Sequence, residues 1–129
     1  MPIESPTFGT IYRPIAYVEV KSTSEEWKIF YPEVDSGAPL SVFNKSDCEL
    51  LGYRLKEGKY FHISSVIGSS IPAYIHEVEM KVGKEIIIPV KVAFTDGLNH
   101  KQLLGRINIF DTFQVLFRGK ILETSFVKE

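Results

Sequence analysis

Two runs of β-forming residues separated only by Gly83-Lys84 constrain this chain more than any other feature. The runs are Ala73 to Val82 and Glu85 to Phe94. A two-residue connection containing glycine is the kind that closes an antiparallel hairpin. In the second run Ile86, Ile88, Val90, Val92 and Phe94 fall on one face, at the two-residue period of a strand. Ile87 and Ala93 add apolar surface to the other face, so that face is expected to be partly covered too. Pro89 has no amide hydrogen to donate, which predicts an edge or a bulge at that point.

The rest of the chain is punctuated in the same way. Arg13 to Val20 and Trp27 to Tyr31 flank a polar turn at Lys21-Ser22-Thr23-Ser24-Glu25 and read as a second hairpin. Tyr60 to Val66 is strand-like. Phe113 to Phe117 and Ile121 to Val127 around Gly119-Lys120 read as a third hairpin. Asn44 to Gly52 predicts a short helix: Asn44 as N-cap, Asp47 as the acid of a capping box, Gly52 as the terminating residue. Leu103, Ile107 and Phe110 fall at helical spacing and predict a second short helix, with Gly105 marking close packing. Residues 1–12, broken by Pro2, Pro6 and Gly9, read as an N-terminal arm. Some seven or eight short strands with one or two short helices give an all-β barrel or sandwich.

Composition removes several function classes. The 129 residues suit one domain, here 13–129 after the arm. Fifteen basic and sixteen acidic residues leave a net charge of −1, so no basic field exists to hold nucleic acid or an anionic membrane. No apolar stretch is long enough to span a bilayer, and no secretory signal is visible, so a cytoplasmic protein is expected. The single cysteine, Cys48, excludes an internal disulfide and is expected as a buried structural thiol. His62, His76 and His100 lack metal-ligand spacing, so no metal and no cofactor are expected. Asn44-Lys45-Ser46 matches a glycosylation sequon but is read as the helix cap. Trp27, Tyr31, Phe110 and Phe113 are expected in the core, since no basic stripe accompanies them.

Asp35-Ser36-Gly37-Ala38 is the segment that bears on chemistry. A carboxylate follows a β-forming run and precedes a hydroxyl residue and a glycine. The acid therefore sits at a strand end on a tight turn, where Gly37 permits close backbone approach. The tripeptide alone fits an Asx-type turn better than a reactive site, because Asp, Ser and Gly are ordinary turn residues.

The flanks resemble the retropepsin-like aspartic proteases. Asp-Ser/Thr-Gly-Ala after an apolar strand, followed by Leu40-Ser41-Val42-Phe43, is similar to the family's active-site loop. Arg13 to Val20, a hairpin, then Val34 to Ala38 is similar to the first half of that fold. Leu103-Leu104-Gly105-Arg106, with Gly105 about 70 residues beyond the acid, resembles the second signature, in which Gly105 and Arg106 are structural. The resemblance covers residues 12 to 127. Three places depart from it: Pro39 stands where retroviral members carry a carboxylate, Ile107 follows the arginine, and Ser36 replaces the commoner threonine.

The resemblance implies a fold, a chemistry and a stoichiometry. The fold is a retropepsin-type barrel. The chemistry is peptide-bond hydrolysis by a water held between two carboxylates that share one proton. Only one such loop is present, because Asp96-Gly97 lacks the intervening hydroxyl residue and reads as a turn. The implied enzyme is thus a homodimer with one Asp35 from each subunit, Ser36, Gly37 and Ala38 supporting the loop. Val66, Ile67, Gly68, Ser69, Ser70 and Ile71 fall where the family has its substrate-covering flap. The substrate would be an extended peptide. The alternative is the same fold kept as a weak or inactive dimerisation or peptide-binding module.

Overall fold

The structure, a computed structural model, describes residues 2–5, 9–12, 14–64, 70–83, 86–96, 102–118 and 123–128. Its main sheet has eight strands, and smaller two-stranded ribbons lie at the beginning and end of the chain. The strands in chain order are β1 (Pro2–Ser5), β2 (Gly9–Tyr12), β3 (Val18–Lys21), β4 (Trp27–Phe30), β5 (Glu33–Val34), β6 (Ser41–Asn44), β7 (Lys59–Ser64), β8 (Ser70–Val82), β9 (Ile86–Thr95), β10 (Leu103–Leu104), β11 (Phe113–Arg118) and β12 (Glu123–Lys128). The main sheet runs β4-β3-β8-β9-β6-β10-β5, with β7 added alongside β8. It curls into a half-barrel.

The β8–β9 hairpin is the spine. Its ladder is unbroken from Val82↔Ile86 to Ala73↔Thr95, and Gly83 takes a φ of +66° at the turn, a value that favours glycine. Val78, Met80 and Val82 meet Ile88, Val90, Val92 and Phe94 on the buried face. The opposite face carries Glu77↔Lys91, Glu79↔Pro89 and Lys81↔Ile87. Pro89 lies where β8 is the only neighbour of β9 among the described residues, since β6 joins β9 only from Val92 onward. That is the edge position the missing amide predicts. Ala93 is fully buried, while Ile87 is exposed.

The centre of the core is aromatic. Phe43 of β6 packs on Phe30 and Phe94 with ring centroids 5.3 and 6.2 Å apart. Leu51, Leu104 and Ile109 close over them. The expected first helix is present as α1 (Lys45–Leu50), followed by a 3-10 helix at Leu55–Glu57. Asn44 is its N-cap, and the Asn44 N–H donates to Asp47 Oδ2 at 2.9 Å, closing the capping box. Gly52 follows the helix with a φ of +86°.

Two expectations are corrected. Leu103 to Phe110 is not a helix. Leu103 and Leu104 are drawn into the sheet as β10, and the chain then makes turns through Thr112. One helical bond forms, Phe110 N–H to Arg106 O at 2.9 Å, and Asn108 at φ +72° stops its propagation. The apolar spacing is real, since Ile109 and Leu104 are buried, but it serves strand and turn. Within residues 1–12, β1 and β2 pair antiparallel from Pro2↔Tyr12 to Ser5↔Gly9. Tyr31 is not in the core. It is 62% exposed and meets half-exposed Tyr17 edge-on, because it continues the outward face of β4.

Candidate active site

β5 ends at Val34, whose side chain is buried, and the chain turns at Asp35 before β6 begins at Ser41. The turn is held from below by a strand from much later in the sequence. β10 is inserted between the two strands that the turn connects. It runs parallel to β5, with Leu103↔Glu33 and Leu104↔Val34, and antiparallel to β6, with Leu103↔Val42.

Hydrogen bonds fix the turn on that strand. Asp35 N–H donates to Leu104 O at 2.9 Å. Arg106 N–H donates to Ala38 O at 2.9 Å and Ile107 N–H to Pro39 O at 3.0 Å. Gly105 N–H donates to the buried Ser41 Oγ at 3.0 Å. Ala38 N–H closes the turn on Asp35 O at 3.1 Å. A satisfied backbone of this kind leaves little freedom to the residue it carries.

The Asp35 carboxylate is oriented by its own loop, because Gly37 N–H donates to Oδ1 at 2.9 Å. Asp35 is partly exposed, and Ser36 and Gly37 lie in solvent. Gly105 explains itself by contact: a Cβ there would overlap Leu40 O and come within 2.8 Å of Ala38 O. The close packing read from the sequence is the passage of β10 under the acid loop. It is the backbone of Arg106 that clamps the loop. Its side chain is exposed and makes no ion pair among the described residues.

The expected flap lies largely outside the described residues: Val66, Ile67, Gly68 and Ser69 are among those not described. Ser70 and Ile71 are described. They lie in β8, paired antiparallel opposite Ser64 and Ile63 of β7. The base of this hairpin reaches the acid loop through a second apolar cluster. Leu40, Ala73 and Ala93 are buried in it, with Val42, Ile63 and Ile75 packed against them. Sequence reasoning did not connect these residues, because they come from the acid loop and four separate strands, β6 to β9.

The other candidates are structural. Cys48 is buried, its thiol directed at Tyr53 O at 3.6 Å. Burial, with Glu49 and Asp47 adding to it, pushes its pKa up to about 11, the reverse of a nucleophile. His76 Nε2 lies 3.0 Å from Leu55 O, its ring between Tyr53 and Phe94. His62 is exposed, edge-on to Tyr60, and His100 is outside the described residues. Among the described residues no group of three metal-ligating side chains comes together, and no helix is long and apolar enough to cross a membrane.

A half-barrel with an acid turn carried between β5 and β6 and a late strand threaded beneath it is the retropepsin-like fold. Among solved structures the chain is similar to the EIAV protease complexed with the inhibitor HBY-793, with a TM-score of 0.57 and 24% identity. The likeness covers 77% of this chain and 86% of that one, and at this identity it concerns the fold. No protein-family model matches the chain. No curated protein matches it.

Proposed function

We propose that the chain is one half of a homodimeric aspartic endopeptidase, with Asp35 as its catalytic group. The observation that carries this reading is the pinned acid turn, where Gly37 N–H orients Asp35 Oδ1 and β10 fixes the backbone on both sides. A second loop is needed, and the chain supplies one, so the partner is a second copy meeting the first across a two-fold axis. Two carboxylates brought within a few ångströms cannot both ionise and retain one proton between them. The ionised one takes a proton from a water, which attacks the peptide carbonyl. The protonated one donates to the developing oxyanion, and a proton then passes to the leaving nitrogen. The peptide would lie extended under the β7–β8 hairpin, its side chains against the apolar cluster of Leu40, Val42 and Ile63.

The test is cleavage of a denatured-protein or peptide pool across about pH 3 to 7 by wild type and Asp35→Asn in parallel. Both samples are first shown to be dimeric. Cuts between apolar residues that vanish in the variant are expected. Cleavage that survives Asp35→Asn removes Asp35 from the mechanism. Dimers that never cut leave the fold as a dimerisation or peptide-binding module.

A further inference from the structure

We propose that Asp47 and Gln102 act as a positioning pair for the Asp35 loop, an inference that rests on the role given to Asp35 above. Asp47 is 9% exposed and each of its oxygens has a task. Oδ2 accepts the Asn44 N–H at 2.9 Å, which caps α1. Oδ1 accepts Gln102 Nε2 at 3.1 Å, across 55 residues of sequence. Gln102 immediately precedes β10, and its carbonyl accepts Glu33 N–H at 2.9 Å. Two residues on, Leu104 O accepts the Asp35 N–H.

The route from Asp47 to the acid is therefore short and continuous. The helix cap holds the Gln102 amide, Gln102 sets the start of β10, and β10 sets the height of Asp35. The far end of β10 is held separately by Ser41, Ala38 and Pro39. Without the Gln102 side-chain anchor the start of this two-residue strand is held only by its backbone pairing to β5 and β6, so it can tilt and carry Asp35 with it. Charge strengthens the anchor, since a bond to a carboxylate is shorter and stronger than one between neutral groups. Neither residue touches the reacting atoms.

The test uses Gln102→Glu and the exchanged pair Asp47→Asn/Gln102→Glu. The single variant sets two carboxylates against each other. The pair rebuilds the contact with reversed polarity: the new asparagine still accepts from Asn44 N–H and donates to the new carboxylate. Amide exchange is followed at Asp35 and Gly37, and at Val18 and Val82 in the distant part of the sheet. In Gln102→Glu, exchange at Asp35 and Gly37 is expected to rise at least tenfold relative to wild type, with Val18 and Val82 unchanged. The exchanged pair is expected to return it to within threefold of wild type, and kcat to fall and recover in step while KM stays. No acceleration, acceleration shared equally by Val18 and Val82, or no recovery in the pair overturns the proposal. If Gln102→Glu does not fold, Gln102→Met removes the amide at similar length, and the same selective acceleration is expected. A wild type that never cleaves peptides refutes the protease reading but leaves the exchange result to decide this one.

Discussion

Gly105→Ala should damage this protein more than a single methyl group ordinarily does. The new Cβ would overlap Leu40 O and sit 2.5 Å from Leu40 C and 2.8 Å from Ala38 O. Unstrained C···O approaches are about 3.3–3.6 Å, so on the order of 0.5–1 Å of backbone movement is required. All three atoms are main chain, and none can swing aside as a side-chain tip would. The movement must stretch the bonds from Arg106 N–H to Ala38 O and from Gly105 N–H to Ser41 Oγ. Losing about one kcal/mol for each of the two bonds, on top of overpacking worth about 1–3 kcal/mol, gives a destabilisation of about 3–5 kcal/mol. In a domain of this size that lowers the melting temperature by roughly 10–20 °C. Urea titration followed by far-UV circular dichroism measures it directly. Because the acid turn moves with the strand, kcat should fall on the order of 100-fold even where the variant is fully folded. A loss of less than about 1 kcal/mol, with the slope of the transition unchanged, refutes the close-packing argument.

Four further outcomes are expected. Gly37→Ala should behave oppositely, with stability nearly unchanged and turnover lowered at least about tenfold, because its Cβ meets only the Asp35 Oδ1 at 3.2 Å and displaces the carboxylate. Ala38→Ser places a hydroxyl beside the acid turn; donation to the ionised carboxylate favours the charged form, so the acid limb of the pH–rate profile should move to lower pH. Cys48 should resist alkylation near pH 8 until urea exposes it. Its thiol keeps its proton up to about 11, above the unfolded value of 9.0, so stability should fall as pH rises through that window, and less steeply in Cys48→Ala. Phe43→Ala empties the space between Phe30 and Phe94 and should cost about 3–5 kcal/mol by chemical denaturation.

What the sequence discloses is what neighbours decide. The β8–β9 hairpin is legible because its alternation and its Gly83 turn lie within one continuous stretch. α1 is legible because Asn44, Asp47 and Gly52 carry its start and stop within nine residues. β5 and β10 are not. Each is two residues long, and each is a strand only through pairing with segments distant in sequence. Leu103, Ile107 and Phe110 carry a helical period that the chain does not use, since sheet pairing captures the first and Asn108 breaks the turn after the second. Asp35 and Gly105 each stand out locally, but the contact that makes them one site spans the whole middle of the chain. The Asp47–Gln102 bond leaves no local mark at all.

The threading of β10 also sets an order of events during synthesis. The turn at Asp35 is made early, yet the backbone groups that hold it belong to residues 104–107. A nascent chain that has reached the β8–β9 hairpin already has Asp35 and its longest ladder, but has no floor for the acid to stand on. Closing so large a loop is entropically costly and comes late in folding. The arrangement works as a delay built into the chain: the acid turn reaches its final geometry only after residues 104–107 have been made.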